Sequence, residues 1–364
     1  MSDVGTGPKG DGEAALEPGD GGPGELVGEL LAGYLEAKLG ADGPVVIDDL
    51  ERIAVGWSHE TWLFTARWSD AGGRHAEGFC LRRDPGNALL REMSDLGVQF
   101  RVLQCLARTD VPAPEAYWYE PDPAVLGAPA VIMEWVAGEC PSPWRRAGRE
   151  YYRAAAERGE LPVSFTDSLA AIHNVDWRDV GLDFLGVPRD GTAFALREIA
   201  KWRTLIEHSG HPGHPILADL VGWLETNVPV TDRFTLVHGA YRTGNLLIAN
   251  DRISAVLDWE LQVIGDPMYD VAYVLSELNR DGTELLSNVV PRAVFIDRYQ
   301  EQTGIEVDED RCRYYQLLYA MRSAAFWMSA AGLYADGSNP DLRLARTEWS
   351  VTVALERAAQ ELGY

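Results

Sequence analysis

Cysteine is scarce in this chain, which has four in 364 residues, at positions 80, 105, 140 and 312. None forms a CxxC pair or stands at zinc-ligand spacing, so the sequence offers no zinc-binding motif. We expect buried, reduced thiols and a cytoplasmic location. The sequence also lacks an apolar run of about 18 residues and a basic-then-apolar leader, which predicts neither a membrane span nor a signal peptide.

Basic charge is also low, because 32 Lys and Arg face 56 Asp and Glu for a formal charge of −24. Nucleic-acid binding depends on Lys and Arg neutralising phosphates, so this balance argues against a nucleic-acid partner and against an anionic membrane surface. A cationic small molecule remains compatible, although an acidic surface also serves solubility alone.

The order of patterns along the chain predicts two regions after a tail. Residues 1–24 are rich in Gly, Pro, Asp and Glu, and we expect them to be disordered. A sheet-rich region over 25–136 should begin with a helix at 25–41 and hold a second helix at 89–106. Its five predicted strands are 50–55, 61–68, 78–83, 117–120 and 129–135.

The third region, 137–364, has mainly helical apolar spacing. A short β-rich centre at 236–248 and 253–257 interrupts it. The pattern therefore predicts an α+β protein with a β-rich first lobe and a mostly helical second one. The predicted helices are 151–158, 164–173, 195–208, 214–228, 268–278, 288–303, 308–331 and 341–362.

The β-rich centre carries the residues of greatest chemical interest. It reads Leu-Val-His-Gly-Ala-Tyr-Arg-Thr-Gly-Asn over 236–245, and Leu-Asp-Trp-Glu follows at 257–260. A hairpin between Asn245 and Asp258 would bring the two side chains to one end. Amide and carboxylate oxygens suit Mg²⁺, and phosphoryl transfer from ATP requires metal ions and positioning more than covalent chemistry.

These motifs resemble the aminoglycoside phosphotransferase family of small-molecule kinases. The likeness covers roughly 45–330, and its closest branch includes hydroxyacyl-CoA kinase-like proteins. It implies a protein-kinase-like, two-lobed fold, ATP and Mg²⁺ as cofactors, a small-molecule acceptor, and a monomer or homodimer. The motifs that match are His238-Gly239, Arg242, Gly244-Asn245, Leu257-Asp258-Trp259-Glu260, Gly265-Asp266-Pro267 and Asp270.

The resemblance also assigns roles. Asn245 and Asp258 would hold the metal, and His238 and Arg242 would belong to the catalytic loop. Ser58 and Arg82 would contact the ATP phosphates, and the hinge at Glu134 and Trp135 would hold adenine through backbone groups. The family pairs the basic residue with a helix Glu, and the candidates here are Gln99, at the expected spot, and Glu92. Asp266 would brace the loop, Glu260 would lie near the metal, and His173 would be structural.

One position departs from the family pattern. Where the family has the catalytic Asp, this chain has Ala240, which cannot accept a proton. The change is engineered, or marks a natural pseudokinase, or reflects different chemistry on the same scaffold. The acceptor also stays open between an aminoglycoside-like compound, a natural product and a hydroxyacyl-CoA.

Several aromatic and basic residues could border the acceptor pocket, although core packing or solvated surface is the ordinary explanation for most of them. The histidines at 208, 211 and 214 predict a surface loop rather than a metal site, because Gly and Pro lie between them. The residues that could border the pocket are Trp57, Trp135, Trp144, Arg145, Arg146, Trp202, Tyr314, Tyr315, Tyr319, Arg322 and Trp327.

Overall fold

A computed structural model of the protein describes residues 23–53, 59–84, 86, 95–211, 213–277, 283–339 and 341–364. The first lobe is a five-stranded antiparallel sheet with neighbours in the order β1-β2-β3-β5-β4. Its strands are β1 (Val46–Ile53), β2 (Glu60–Asp70), β3 (Gly73–Arg83), β4 (Ala116–Glu120) and β5 (Ala130–Glu134).

The two faces of this sheet pack against different helices. Alternate residues of β2, such as Phe64, point toward helix α1 (Pro23–Leu39) and bury its apolar side. Helix α2 (Leu96–Leu106) belongs instead to the larger core that continues into the second lobe. Its first turn is capped by Asp95, whose side chain accepts the N–H groups of Gly97 and Val98. A short helix, α3 (Pro123–Leu126), connects β4 to β5.

The second lobe is mainly helical, and within the described residues no helix is both long and apolar enough to cross a membrane. Three small two-stranded sheets lie among its helices. The helices are α4 (Arg146–Glu157), α5 (Glu160–Asn174), α6 (Ala193–His208), α7 (Pro215–Thr226), α8 (Met268–Leu275), α9 (Arg292–Thr303), α10 (Glu309–Ala335) and α11 (Thr347–Leu362). The strands are β6 (Thr235–Val237), β7 (Leu246–Ala249), β8 (Arg252–Val256), β9 (Val263–Gly265), β10 (Leu285–Leu286) and β11 (Val290–Pro291).

The predicted α+β, two-lobed architecture is confirmed, and several predicted boundaries are wrong. The first strand begins at Val46 rather than at residue 50. The helix predicted from residue 288 begins at Arg292, because Ser287 and Asn288 have positive φ and residues 290–291 form β11. The residues predicted as disordered lie almost entirely outside the described part of the chain.

Candidate active site

Asn245 and Asp258 flank a β-hairpin made of β7 and β8. The turn between the strands uses Asn250 and Asp251, whose φ values of 52° and 57° suit a tight antiparallel hairpin. At the open end, the N–H of Leu257 donates to the carbonyl of Asn245 at 2.8 Å. The hairpin therefore places the two predicted metal-site residues beside one another, as the sequence spacing indicated.

Buried groups hold every peptide of the loop from His238 to Ala240. The Asp270 carboxylate accepts the N–H of His238 at 2.7 Å and that of Gly239 at 2.8 Å. The Nδ1 atom of His238 accepts the N–H of Ala240 at 3.1 Å, and its Nε2 atom lies 2.8 Å from the Leu257 carbonyl. Because an amide only donates and a carbonyl only accepts, His238 is neutral and carries its proton on Nε2. Burial lowers the pKa of His238, which agrees with that state.

The carbonyl of Gly239 is fixed from the opposite side. The guanidinium of Arg322 donates to it, and the hydroxyl of Tyr319 lies 3.4 Å away. Gly239 has a φ of 82°, and a Cβ atom there would lie 2.6 Å from the Leu261 carbonyl, so the position requires glycine. These contacts fix the direction of the side chain at position 240, which in Ala240 is a methyl group with no proton-accepting atom.

A second layer supports Asp270. His173 is buried between Asp270, at 3.3 Å, and the hydroxyl of Tyr299, at 2.7 Å. Burial alone would raise the pKa of Asp270, but the hydrogen bond from His173 and the neighbouring amides lower it below its ordinary value. His173 therefore acts on the loop through Asp270 and has a structural role, as predicted.

The oxygen atoms at the open end of the hairpin fit a magnesium ion. The Nδ2 atom of Asn245 donates to the Ala240 carbonyl at 2.9 Å, which leaves the amide oxygen as its metal-binding atom. The Asp258 side chain is half-buried. Its partial burial and then the charge of Glu260 raise the pKa of Asp258, so a cation there would offset the repulsion between the two carboxylates. Two protein oxygens suffice for Mg²⁺ when phosphate and water complete its shell.

Arg82 reaches this site from the other lobe. Its Nη2 atom lies 2.8 Å from Oε1 of Glu260 and 4.0 Å from Oδ1 of Asp258. The ring of His59, whose side chain is 1% exposed, contacts the same Glu260 oxygen at 2.9 Å. The Nη1 atom of Arg82 donates to Gln99 of α2 at 3.3 Å. One carboxylate of the second lobe therefore receives two groups of the first.

This arrangement changes the predicted partner of Arg82. The sequence interpretation placed that partner on the helix of the first lobe, at Gln99 or Glu92. Gln99 contributes only a neutral oxygen, and Glu92 lies outside the described residues. The carboxylate comes from Glu260, which is adjacent to the candidate metal site rather than on the helix. Arg83 points to the opposite face and pairs with Glu60 at 2.6 Å, as strand alternation requires.

The remaining predicted residues occupy less central positions. Ser58 lies outside the described residues. The guanidinium of Arg242 stands 5.6 Å from the ring centre of Trp144, whose side chain is largely exposed. The backbone N–H of Glu134 donates to the Glu115 carbonyl at 2.8 Å, and that of Trp135 to Gly78 at 3.4 Å. The hinge amides are therefore used within the sheet, and adenine would have to rely on other hinge groups or replace the longer bond.

Two features escaped the sequence interpretation. The pairing of Arg82 with Glu260 has no local signal, because the residues are 178 positions apart. The bond from Arg322 to Gly239 is equally non-local, although Arg322 was placed on a helix near the acceptor cleft.

Within the described residues, no group of three or more His, Cys, Asp or Glu side chains could hold a metal ion.

Comparison with known proteins supports the same fold. A profile of the phosphotransferase enzyme family matches residues 49–327. Acyl-CoA dehydrogenase family member 11 of Rattus norvegicus is 27% identical over 278 residues, which are 72% of this chain and 35% of that protein. The chain thus spans about a third of the length of this curated relative.

Solved structures show the fold alone, since their sequence identities are low. A provisionally assigned aminoglycoside phosphotransferase from Ralstonia eutropha has a TM-score of 0.66 at 23% identity, with 92% of this chain and 97% of that one covered. A thermostable mutant of an aminoglycoside phosphotransferase, in ternary complex with ADP and hygromycin B, has a TM-score of 0.52 at 18% identity. The match covers 92% of this chain and 99% of that one.

Proposed function

The chain belongs to the phosphotransferase enzyme family, and from this premise we propose that it binds ATP with Mg²⁺ between its lobes. We further propose that the fold serves phosphoryl transfer to the hydroxyl group of a small molecule. The observation that carries the proposal is the meeting of Asn245 and Asp258 at one end of a hairpin, with Arg82 4.0 Å from the Asp258 carboxylate. The ADP in a similar solved structure adds support for nucleotide binding.

Each residue then has a distinct role. Arg82 binds the phosphates, and Ser58 caps them. Asn245 and Asp258 hold Mg²⁺, which supplies charge neutralisation at the phosphates when bound. Arg242 stands near the transferred group, and His238 keeps the loop in place. The backbone at Glu134 and Trp135 borders the adenine.

Ala240 impairs the transfer step. A positioned base contributes typically about 10²–10⁴-fold to a proton-transfer step, and no side-chain atom of Ala240 can accept the hydroxyl proton. Nucleotide binding does not depend on that atom, because the metal-site oxygens lie on Asn245 and Asp258. We therefore infer a site that binds its nucleotide and reacts slowly.

Three classes of acceptor molecule are compatible with this proposal, and similar proteins support two of them. The bound hygromycin B of one solved structure favours an aminoglycoside-like acceptor. The curated relative is named as an acyl-CoA dehydrogenase family member, so an acyl-CoA compound that carries a hydroxyl group is a second class. A natural-product alcohol is the third class.

Two alternative functions also have specific support. The loss of the base at Ala240 favours a pseudokinase that binds nucleotide without turnover. The engagement of Arg82 by Glu260 at 2.8 Å favours ATP-independent chemistry, because the phosphate-binding cation is already paired.

Nucleotide binding separates the kinase and the pseudokinase from the ATP-independent alternative, and thermal unfolding measures it. ADP or a non-hydrolysable ATP analogue at about 100 times its Kd should stabilise the protein by about 2.7 kcal/mol, and Mg²⁺ should increase the effect. Asp258→Asn should lose the Mg²⁺-dependent part. Asp251→Asn is the matched control, because it changes an Asp at the other end of the same hairpin. Absence of any nucleotide effect would favour the ATP-independent alternative.

A further inference from the structure

A surface groove on the first lobe lies between helix α1 and the segment that runs from β4 into α3. Its volume is about 500 Å³, which is within the range of small-molecule sites. Gly33 of α1 lines the groove, and a Cβ atom at this position would meet nothing within 4 Å. The middle of the groove is therefore open. Its apolar surface comes from Leu30, Ala37 and Val125.

This groove is separate from the cleft between the lobes. Helix α1 packs on the sheet face that holds Leu81, and strand alternation places Arg83 on the same face and Arg82 on the opposite one. Arg83 donates to the carbonyl of Leu126, the last residue of α3, at 2.9 Å. Among the described residues, none that is assigned to phosphoryl transfer lines the groove. A ligand bound here would leave the nucleotide site free.

The groove wall contains a buried tyrosine whose hydroxyl is not hydrogen-bonded. Tyr34 is 8% exposed, and within the described part of the chain its hydroxyl has no hydrogen-bond partner. Burial and then the charge of Glu120 raise the pKa of Tyr34 to about 12, so the phenol is neutral at physiological pH. A neutral phenol accepts hydrogen bonds as well as donating one. Because buried polar groups are normally hydrogen-bonded, this hydroxyl is a candidate for a ligand contact.

The charges that line the groove favour a cation. Glu29 and Glu120 both line it, and neither forms an ion pair with any described residue. Lys38 contributes an exposed ammonium, whose Nζ atom lies 5.0 Å from the ring centre of Tyr34. Two carboxylates and one ammonium leave the groove negative, and the formal charge of −24 on the whole chain adds a long-range attraction for cations.

We propose that this groove binds a primary amine that carries an apolar chain or ring. Glu120 and the Tyr34 hydroxyl bind the ammonium, and the apolar part lies over Gly33. The Tyr34 ring already attracts the cation of Lys38, and this exposed side chain moves into solvent when the ligand cation takes its place. The proposal goes beyond phosphoryl transfer and does not depend on it.

Three compounds that share a phenyl ring and a two-carbon chain provide the test: 2-phenylethylamine, 2-phenylethanol and 3-phenylpropanoate. Isothermal titration of the full chain measures their affinities. The amine should bind at least roughly 10-fold tighter than the alcohol, and the carboxylate should bind more weakly than the alcohol. Equal affinities of the amine and the alcohol, or no binding of the amine, would overturn the proposal.

A variant that fills the groove separates binding at this site from general attraction to an acidic protein. Gly33→Leu should weaken amine binding by at least roughly 10-fold, because the new side chain occupies the open middle of the groove. Gly222→Leu is the matched control, since Gly222 is also helical, on α7, and a Cβ atom there would meet nothing within 4 Å. Amine binding that persists unchanged in Gly33→Leu would place the site elsewhere and would overturn the proposal.

Two conservative variants test the polar contacts. Tyr34→Phe should weaken amine binding by roughly 10-fold and should not lower the thermal unfolding temperature of the free protein, because its hydroxyl has no partner to lose. Glu120→Gln should weaken the amine similarly, whereas Glu157→Gln, at an exposed position of α4, should not. A less stable Tyr34→Phe, or equal effects of the two Glu variants, would overturn the assignment.

The lysine provides a change of opposite sign. Lys38→Gln should raise the affinity for 2-phenylethylamine by roughly 2–5-fold, because it removes the cation that competes for the Tyr34 ring. A lower affinity in this variant would mean that Lys38 contributes to binding, and the groove would then not be a site for a cation.

Discussion

The catalytic loop at residues 238–240 and the phosphate-binding side of the cleft at Arg82 differ in which functional groups are present. At the loop, the supporting contacts are present, but Ala240 stands where the family resemblance predicts a catalytic Asp. Asp270, His238 and Arg322 fix the peptides around Ala240, whose methyl group performs no proton transfer. On the phosphate side the functional groups are present, but Arg82 is bound to Glu260 at 2.8 Å.

At the loop, the contacts that position a side chain are present without a side chain that accepts a proton. On the phosphate side, the cation is present but is paired with a carboxylate. The backbone around position 240 is held by Asp270, His238, Asn245 and Arg322, among others, so a carboxylate introduced there would need little reorganisation. Arg82 carries the correct charge, yet a phosphate must compete with Glu260 for it. We therefore expect one substitution to restore the loop and another to expose the cation.

The largest expected effect is the return of the base. Ala240→Asp should raise phosphotransfer by about 10²–10⁴-fold, because the carboxylate would accept the hydroxyl proton. Steady-state ADP release with a panel of hydroxyl acceptors measures the change.

Ala240→Asn is the matched control, since it has the same size and no basic oxygen of comparable strength. Equal rates in the Asp and Asn variants would show that the base is not what the loop lacks. Absence of ATP turnover in Ala240→Asp with every acceptor would remove the kinase interpretation.

Sequence patterns predicted the parts of this comparison that are local. The hairpin between Asn245 and Asp258 was predictable, because both strands and the turn lie within 14 consecutive residues. The opposite orientations of Arg82 and Arg83 followed from strand alternation. That Ala240 stands in the place of a catalytic base stays a prediction from the resemblance.

Contacts between distant segments were not predictable. Glu260, rather than a carboxylate on α2, pairs with Arg82 because the two lobes meet at the cleft. No periodicity in the sequence predicts which residues of the two lobes meet. The half-buried Arg322 reaches Gly239 across 83 residues, so its role depends on how α10 packs. The start of α9 was misplaced because the positive φ values of Ser287 and Asn288 override a helical apolar pattern.

The second largest effect concerns the supports of the loop. Asp270→Asn should lower the free energy of unfolding by about 1.5–3 kcal/mol, because an amide nitrogen would face a backbone N–H that the carboxylate now satisfies. The pKa of Asp270 is lowered in the folded protein, so its ionisation stabilises the fold above the unfolded pKa of about 3.9 and this stability is lost as the pH falls. Urea unfolding at neutral pH and at pH values through that range measures both effects.

The control is Asp251→Asn, at an exposed turn where the ion pair with Arg158 should contribute little. The acid-dependent loss of stability should be smaller in Asp270→Asn than in wild type. A stability equal to wild type at neutral pH would mean that the loop does not depend on Asp270, and the contrast between intact supports and a missing group would fail.

The smallest expected effect concerns Arg82, whose guanidinium is paired with Glu260. Glu260→Gln should raise the affinity for ADP in the absence of Mg²⁺ by roughly 5–10-fold, because it removes a negative charge that competes with the phosphates for Arg82. Isothermal titration of ADP with and without Mg²⁺ measures it. With Mg²⁺ present the gain should shrink, since the metal ion offsets the charge of Glu260.

Glu60→Gln is the matched control on the other face of the same sheet. Glu60 pairs with Arg83 at 2.6 Å just as Glu260 pairs with Arg82, but it lies away from the cleft. Its loss should leave ADP affinity unchanged. A weaker ADP affinity in Glu260→Gln would mean that Glu260 holds Arg82 in its binding position rather than occupying it. The phosphate side would then resemble the loop, with a carboxylate serving as a support.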